Sequence, residues 1–299
     1  MKITILGSNG FLSTAIGIYF QKKDCVLDVY GLDAPLQHKC SHFHQVNLLA
    51  DDLNLIELKD SDIIVYAIGA GIQSNLNESA NLIYRLNVTC PVNICNQLKA
   101  IGYQGVFVSF GSVFEMGEVK EERKFTEEDI LTSSAIAPTD YVVSKRMLSR
   151  FVSSYKHDFV HWHFIIPTIY GAGENPKRLI PYTIHSILSD EELHFTAGEQ
   201  TRQYIHVSEV PRLLELAFLK GLDSGIYNIE GKDTLTVREI VSLIHSHFGK
   251  PVPANCFGSA SRSDVGMKFL ALDGNRLRQE IGFEAEIGIG TVIDSYTLS

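Results

Sequence analysis

The N-terminal stretch constrains the fold of this chain more than any other segment. The apolar run ITIL at residues 3–6 predicts a short buried strand, and the glycine-containing sequence GSNG follows at residues 7–10. Helical periodicity then extends over residues 11–22. A strand, a glycine turn and a helix bring free backbone N–H groups and the positive helix end to one point, which suits a pyrophosphate. A plain strand-to-helix turn carries the same pattern, so the loop alone leaves both interpretations open.

Strand and helix patterns alternate along the first half of the chain. Strands are predicted over residues 2–6, 26–32, 62–68, 105–110 and 161–166, and helices over residues 11–22 and 79–100. Strands joined by helices indicate parallel βαβ units, and continuously apolar strands fit a sheet that is covered on both faces. After Pro167 the sequence becomes rich in loops, and helical patterns recur over residues 179–188, 207–220 and 236–248.

These patterns predict an α/β fold with two parts. We expect a doubly wound parallel-sheet Rossmann domain over residues 1–166, to which later segments around residues 203–230 return. A smaller mixed α/β C-terminal substrate lobe is expected mostly from residues 167–299. In such sheets, ligands bind at the carboxyl ends of the strands, where the strand order reverses.

Composition excludes several classes of function. The formal net charge of −9 argues against a general nucleic-acid-binding protein. We find no run of 18 apolar residues, so no membrane span is expected, and a strand pattern from residue 2 leaves no room for a signal peptide. Five cysteines at irregular spacing predict reduced thiols and a cytoplasmic protein. His38, Cys40, His42 and His44 lack a second ligand cluster of zinc-type spacing, so no metal site is expected.

Tyr141 and Lys145 are the candidate chemical groups. They lie four residues apart, which places them on one face of a helix, one turn from each other. Most such pairs are solvated surface residues. Together with the glycine loop upstream, this pair forms a coherent candidate active site.

Asp33 is the candidate for cofactor selection. It ends the second predicted strand, 23 residues after Gly10. A carboxylate there accepts hydrogen bonds from a ribose diol and repels a 2′-phosphate, which favours NAD over NADP. The alternative is that Asp33 only starts a turn before Pro35.

Together these elements resemble the extended short-chain dehydrogenase/reductases, also called the NAD-dependent epimerase/dehydratase family of nucleotide-sugar enzymes. The resemblance covers most of the chain. The matching elements occur in that family's order: the glycine loop, Asp33, Asn87-Val88, residues 109–114, Tyr141 with Lys145, residues 169–171, residues 202–207 and residues 225–229.

The resemblance implies a role for each matching residue. Tyr141 is expected to move a proton at a sugar hydroxyl or keto oxygen, and Lys145 to hold the nicotinamide ribose and lower the pKa of Tyr141. A nearby hydroxyl is expected to bind the same sugar oxygen; Ser112 is favoured because some members place it there after a glycine such as Gly111, and Ser109 is the alternative. The cofactor-binding residues implied are Gly7, Asn9, Gly10, Phe11, Leu12, Asp33, Asn47, Ala67, Ile68, Gly69, Asn87, Tyr141, Lys145 and Pro167. The substrate-binding residues implied are Thr168, Arg202 and Arg262, of which the two arginines are expected to clamp a diphosphate. For either arginine, a surface salt bridge is the alternative.

The chain also departs from the family pattern. Ser13 replaces the third glycine of the loop, Phe110 stands where many members carry the catalytic hydroxyl, and Ile165 stands where an arginine is often found. In dehydratase members of that family, the segment that matches the one around Phe110 carries Thr-Asp-Glu. No Asp-Glu pair occurs there, so dehydration is not expected.

The function predicted is an NAD-dependent nucleotide-sugar epimerase, acting most often at C4 through a transient 4-keto intermediate. The alternative is an NAD(P)H-dependent nucleotide 4-keto-6-deoxysugar reductase. A third interpretation is a catalytically weak dinucleotide-binding regulatory protein, which Ser13 and Phe110 motivate. The resemblance further implies a nucleotide-diphosphate sugar as partner, a role in polysaccharide biosynthesis, and a homodimer formed through the Tyr141 helix and the helix over residues 79–100.

Overall fold

The structure is a computed structural model that describes residues 1–51, 53, 55–72, 76–156, 158–260 and 266–297. Its strands, in chain order, are β1 (Lys2–Leu6), β2 (Val26–Gly31), β3 (His42–Gln45), β4 (Ile63–Tyr66), β5 (Val106–Ser112), β6 (Val160–Ile166), β7 (Thr168–Tyr170), β8 (Thr201–His206), β9 (Gly225–Asn228), β10 (Asp233–Thr236) and β11 (Phe269–Leu270). Its α-helices are α1 (Phe11–Phe20), α2 (Leu55–Leu58), α3 (Ala80–Tyr84), α4 (Cys90–Ala100), α5 (Glu127–Thr132), α6 (Asp140–Ser154), α7 (Leu179–Ser189), α8 (Glu209–Lys220), α9 (Val237–His247) and α10 (Asn275–Ile281).

Seven strands form one parallel sheet in the order β3-β2-β1-β4-β5-β6-β9. The strand order reverses between β1 and β4, and Leu6 at the end of β1 pairs with Tyr30 on one side and Tyr66 on the other. The reversal opens a crevice outside the carboxyl ends of these strands. The predicted doubly wound α/β fold is confirmed.

The large sheet is apolar on both faces because successive side chains of each strand point to opposite sides. Ile63 and Val65 pack in the core on one face with Ile3 and Ile5, whereas Ile64 packs in the core on the other face. This double burial explains why the strands read as continuous apolar runs.

A second, mixed sheet is built around β8. It pairs antiparallel with β10 and parallel with both β7 and β11. Segments after residue 166 also contribute to the large sheet and its core. Strand β9 pairs with β6 at the edge of the large sheet, and the side chains of Leu213 in α8 and Leu277 in α10 pack in the same core as Ile3 and Ile5.

Two local features differ from the sequence prediction. The helix expected over residues 79–100 is interrupted by a π-helical turn, Arg85–Thr89, between α3 and α4. Strand β3 was not predicted, because its alternating histidines gave no apolar run. It is the short edge strand of the large sheet, where side chains stay partly exposed.

Candidate active site

The glycine loop lies at the crevice between β1 and β4. Gly7 has a φ of +113°, and a Cβ atom there would lie 2.9 Å from Cγ1 of Ile68 and 3.3 Å from the carbonyl oxygen of Ala67. Only glycine therefore lets the loop after β1 pack this closely on the loop after β4.

The first turn of α1 opens onto the same crevice. Gly10 is the N-cap and supplies no side-chain cap, and no acidic residue lies in the first turn, where Phe11 and Leu12 are partly buried. Ser13 is fully buried and its hydroxyl donates to the carbonyl of Gly10 at 2.9 Å, so its small side chain fits at the position of the missing glycine. Uncapped N–H groups at a helix N-terminus fit the diphosphate of a dinucleotide cofactor.

The side chain of Asn9 organises the loop that carries Asp33. Its Nδ2 donates to the carbonyl of Ala34 at 3.1 Å, and its Oδ1 accepts from the backbone N–H of Leu36 at 2.9 Å. Asp33 is exposed just beyond β2. The Asn9 side chain is thus hydrogen-bonded to the protein backbone and fixes the loop that carries Asp33. From this loop the Asp33 carboxylate could reach a ribose.

Asn87, in the π-helical turn, ties the loop after β4 to α6. It is 1% exposed; its Oδ1 accepts from the N–H of Ala70, and its Nδ2 donates to the carbonyl of Ala70 and to Oγ of Ser144, each at 2.9 Å. A Cβ atom on Gly69 would lie 3.3 Å from Oδ1 of Asn87 and 3.9 Å from Nζ of Lys145. Asn87 therefore shapes the crevice, and its amide is occupied by protein groups.

Asn47 and Pro167 each lie just beyond the carboxyl end of a strand of the large sheet. Asn47 follows β3, and its Oδ1 accepts from the N–H of Leu49 at 3.0 Å, which closes a local turn. Pro167 is buried between β6 and β7. Neither residue contacts Tyr141 through a hydrogen bond.

Helix α6 presents Tyr141 and Lys145 together. The helix begins after Thr139, whose side chain caps the N–H of Val142, and Nζ of Lys145 lies 5.8 Å from the Tyr141 ring centroid. Lys145 is 8% exposed and donates to the carbonyl oxygen of Phe110 at 2.8 Å. The predicted spacing on one helix face thus places a buried ammonium group beside a phenol.

Ser112 and Ser109 occupy different environments. The Ser112 side chain, at the end of β5, accepts from the N–H of Phe114 at 3.3 Å and lies near enough to the Tyr141 hydroxyl to lower its pKa. Ser109 is fully buried, and its hydroxyl is shared with Nε2 of His161 at 2.8 Å and Nδ1 of His163 at 2.7 Å. The geometry brings Ser112 to Tyr141, whereas Ser109 belongs to a buried network with two histidines.

The pKa of Tyr141 is raised to about 12, chiefly because the hydroxyl is buried. The nearby Ser112 hydroxyl and the positive charge of Arg178 lower this pKa, while the charge of Glu115 raises it. The sequence predicted a lower pKa caused by Lys145. In the protein alone, burial raises the pKa of Tyr141. The Lys145 ammonium group does not offset this effect, because it donates to the carbonyl oxygen of Phe110.

Burial lowers the pKa of Lys145 to about 8, and the nearby Glu115 carboxyl opposes this shift. Burial also disfavours the charged form of Glu115 and raises its pKa. Shifted pKa values on a phenol, an amine and a carboxyl around one crevice are typical of a reactive site.

The three predicted substrate-binding residues, Thr168, Arg202 and Arg262, differ in what the structure shows of them. Arg202 is 5% exposed, its NH1 donates to the carbonyl of Thr201 at 2.9 Å, and its guanidinium lies 5.7 Å from the ring centroid of Phe114. The Phe114 ring in turn contacts the Tyr141 ring edge-on at 6.5 Å. Oγ1 of Thr168 is buried and has no hydrogen-bond partner within the described part of the chain. Arg262 lies outside the described residues.

The sequence analysis missed two residues near Tyr141. Arg178 is the N-cap of α7, its Nε lies 3.1 Å from Oε2 of the buried Glu174, and its charge lowers the pKa of Tyr141. Glu115 closes a capping box with Ser112. The Ser-x-x-Glu spacing signals such a box in a sequence, and it could have pointed to Glu115.

The histidine-rich segment has other contacts. His42 pairs through Nδ1 with Oδ1 of Asp28 at 2.7 Å, and His44 stacks on Tyr30 with centroids 4.3 Å apart. Among the residues described, no group of three His, Cys, Asp or Glu side chains is placed to hold a metal ion. A search of the described helices finds none with the length and apolarity needed to cross a bilayer.

The chain is similar in sequence or in fold to several known proteins. Over 253 residues the chain is 24% identical to the dTDP-D-glucose 4,6-dehydratase of Dictyostelium discoideum, an alignment covering 76% of this chain and 58% of that protein. The chain thus spans less than two thirds of that relative. It is 22% identical over 300 residues to the CDP-abequose synthase of Salmonella muenchen, covering 96% of this chain and 94% of the relative. The solved UDP-glucuronic acid 4-epimerase of Bacillus cereus superimposes with a TM-score of 0.82 at 17% identity, covering 99% and 98% of the two chains, which shows the shared fold.

A family model settles the assignment that the sequence resemblance predicted. The model of the NAD dependent epimerase/dehydratase family matches residues 3–229, which is most of the chain. The chain belongs to the NAD dependent epimerase/dehydratase family.

Proposed function

We propose that this protein is an NAD-dependent nucleotide-sugar epimerase that inverts a sugar carbon, most often C4, through a transient keto-sugar. One observation carries the proposal: the buried Lys145 ammonium group lies 5.8 Å from the Tyr141 ring centroid, with the Ser112 side chain beside the Tyr141 hydroxyl, next to the glycine-loop crevice. That is the arrangement required to move a proton at a carbon-bound oxygen next to a dinucleotide.

The crevice suits NAD on two grounds. The uncapped N-terminus of α1 offers N–H groups to a diphosphate, and the N-cap Gly10 is exposed and has no side chain to block the approach. The exposed Asp33 carboxylate offers acceptors for a ribose diol and repels a 2′-phosphate, which favours NAD over NADP. When bound, NAD supplies the two-electron oxidation and reduction of the sugar carbon.

The residues of the chain supply proton transfer and orientation. Tyr141 takes the proton from the sugar hydroxyl as the carbon is oxidised, and it returns a proton to the same oxygen after the keto-sugar has turned over in the site. Ser112 donates a hydrogen bond to that oxygen and holds it near Tyr141. Lys145 contributes the positive charge that favours the phenolate form of Tyr141 once the crevice is filled.

The substrate side carries cations suited to a nucleoside diphosphate. Arg202 lies behind Phe114, which contacts Tyr141, and Arg178 faces Tyr141 with one nitrogen fixed by Glu174. Guanidinium groups bind phosphate oxygens in pairs and stay charged when partly buried. The free hydroxyl of Thr168 is a further candidate contact for the sugar. Arg262 remains a candidate from the sequence.

A homodimer is part of the proposal. Its interface would be the outer face of α6 together with α3 and α4. Met147 of α6 is 47% exposed, as suits a side chain that a second copy covers. Sedimentation equilibrium would test this, and a monomer at micromolar concentration would contradict it.

The first experiment is to purify the protein without added cofactor, denature it, and identify the released nucleotide by mass spectrometry. Near-stoichiometric NAD is expected, because an epimerase regenerates its cofactor in every cycle. Incubation with UDP-, dTDP- and CDP-sugars should then interconvert one pair of epimers without net change in absorbance at the NADH band. An empty site, with consumption of reduced cofactor by a 4-keto sugar, would instead establish a reductase, which uses Tyr141 and Lys145 once per cycle.

The matched variant is Tyr141→Phe, which keeps the ring and removes the proton-transferring hydroxyl. Turnover is expected to fall by about a thousandfold, the scale of general acid–base catalysis. Turnover within threefold of the unmodified protein would remove Tyr141 from the mechanism. Tyr155→Phe in the same chain serves as a control, because Tyr155 lies beyond the C-terminal end of α6.

A further inference from the structure

A carboxyl group is buried directly beneath the catalytic hydroxyls. Glu115 lies in the 3-10 turn Val113–Met116, has no solvent exposure, and accepts the backbone N–H of Ser112 through Oε1 at 2.7 Å. Ser112 and Glu115 form a reciprocal capping box at the end of β5. The Glu115 carboxyl therefore holds the backbone of Ser112, the residue whose side chain lies beside Tyr141.

The surroundings are shaped to admit this carboxyl. A Cβ atom on Gly111 would lie 2.6 Å from Oε1 of Glu115 and 2.8 Å from Nε2 of His163, so only glycine leaves room for both. Nε of Arg146 donates to the Glu115 carbonyl at 2.6 Å and fixes the turn to α6. Such tight enclosure holds the carboxyl in one place.

The described charged groups near Glu115 lie on the elements packed against it. Helix α6 contributes Lys145 and Arg146, whose charges lower the pKa of Glu115, and Arg150, which lines a cavity of about 20 Å³ together with Glu115. From β6, His163 stays neutral, because burial lowers its pKa to about 3. Helix α5 contributes only apolar side chains to the cavity wall.

The second carboxyl oxygen of Glu115, Oε2, takes no part in the capping box. Oε2 has no hydrogen-bond partner among the side chains and backbone described, although Ser149 lies near enough to lower the pKa of the group. The Ser149 hydroxyl is hydrogen-bonded to Nε2 of His163 at 2.9 Å. The adjoining cavity is large enough for one water molecule. A buried carboxyl with a spare oxygen costs stability, so a functional reason is expected.

We propose that Glu115 is a positioning residue for the reaction, which anchors Ser112 against Tyr141 through Oε1 and sets a negative charge near the Lys145 ammonium group. The proposal rests on the proposed function for its effect on turnover. Its effect on Lys145 is a property of the folded chain and is measurable without substrate.

The pKa values support this geometry. Glu115 raises the pKa of Lys145 and also that of Tyr141. Loss of the negative charge therefore lowers both pKa values and moves the pH–rate profile toward lower pH. Loss of the acceptor oxygen, in contrast, frees the Ser112 backbone and does not by itself move the pH–rate profile in either direction.

Two variants separate these effects. Glu115→Gln keeps an acceptor oxygen for Ser112 and removes the charge, so the pH–rate profile should move down by about one unit with maximal turnover nearly retained. Glu115→Ala removes both, so the same shift should come with an additional loss of about tenfold in kcat. Glu239→Gln is the matched control, because Glu239 closes the same kind of capping box at Thr236 of α9.

The readout that needs no substrate is NMR of protein labelled at lysine Cε, with the Lys145 signal assigned by its loss in Lys145→Met. Its pKa should fall by about one unit in Glu115→Gln and stay unchanged in Glu239→Gln. An unchanged Lys145 pKa in Glu115→Gln, or an equal shift in the control, would overturn the proposal. A protein that shows the shift but converts no nucleotide sugar would refute the proposed function alone.

A second measurement applies if Glu115→Gln does not fold. Coupling between two titrating groups is reciprocal, so Lys145→Met must raise the pKa of one buried glutamate. NMR of glutamate Cδ in the Lys145→Met protein would show that shift. Glutamate titrations identical to those of the unmodified protein would overturn the proposal.

Discussion

The Ser112 side chain lies beside the Tyr141 hydroxyl, where the end of β5 meets the first turn of α6. This contact lowers the pKa of Tyr141 against the larger effect of burial. It also identifies the serine that shares a substrate oxygen with Tyr141 in the proposed mechanism.

Replacing Ser112 with alanine should therefore reduce kcat by about 100-fold, since a lost hydrogen bond to the reacting oxygen typically costs that much. The pKa of Tyr141 should rise in the same variant. Steady-state turnover against pH would measure both effects. Ser109→Ala is the comparison, and it should lower thermal stability through the two histidines while leaving kcat within threefold. Equal loss of kcat in the two variants would contradict the assignment.

Asp33→Asn tests cofactor selection. The neutral side chain no longer repels a 2′-phosphate and binds the ribose diol less well, so affinity for NAD should fall about tenfold and that for NADP should rise. Titration calorimetry with both dinucleotides gives the ratio. The exposed Asp60 provides a control, Asp60→Asn, which removes the same charge elsewhere. An NAD-to-NADP ratio equal to that of the control would show that Asp33 only starts a turn.

Arg178 is expected to bind the anionic part of the substrate. The double variant Arg178→Met/Glu174→Gln removes the guanidinium without leaving Glu174 as an unpaired buried charge. The KM for the nucleotide sugar should increase by tenfold or more, roughly the value of a charge-assisted hydrogen bond, with a smaller change in kcat. Glu174→Gln alone is the matched control. A KM equal to that of the control would place Arg178 outside the substrate site.

Stability should decline on the acid side because of His163. Its pKa is lowered to about 3 in the fold against an ordinary 6.5, so only the unfolded chain takes up a proton between these values. Stability from this group is full above pH 6.5 and is lost as the pH falls, by about 2 kcal/mol at pH 5. Urea unfolding at pH 7 and pH 5 measures the loss. His194→Asn, which alters an exposed histidine, should leave the loss unchanged, and equal stability at both pH values would show that His163 is protonated in the fold.

Strands β1, β2, β4, β5 and β6 and the Tyr141 helix were predictable because they depend on local patterns. The apolar run at residues 3–6, the glycine loop and the spacing of Tyr141 and Lys145 each act within a few residues. The choice between Ser109 and Ser112 was not predictable in the same way. That choice depends on which face of β5 each side chain occupies. It also depends on His161 and His163, which are distant in sequence and hydrogen-bond the Ser109 hydroxyl.

Other parts of the site escaped sequence reasoning because they depend on long-range packing. Glu115 is charged, and its complete burial depends on His163 of β6 and Arg146 of α6 as well as on the space that Gly111 leaves. The resemblance implies that Asn87 contacts the cofactor, and the structure adds that its amide is hydrogen-bonded to Ala70 and Ser144 from separate elements. The π-helical turn that presents Asn87 has no signature in the residue types alone.

The pairing of β6 with β9 has a consequence for how the chain can be divided. A fragment that ends at residue 166 would carry the glycine loop, Tyr141 and Lys145, but β6 would become an open strand edge and the core would lose α8 and α10. Bare parallel edges of this kind promote self-association. The two sheets are thus interleaved along the chain, and heat or denaturant should melt them in a single cooperative transition.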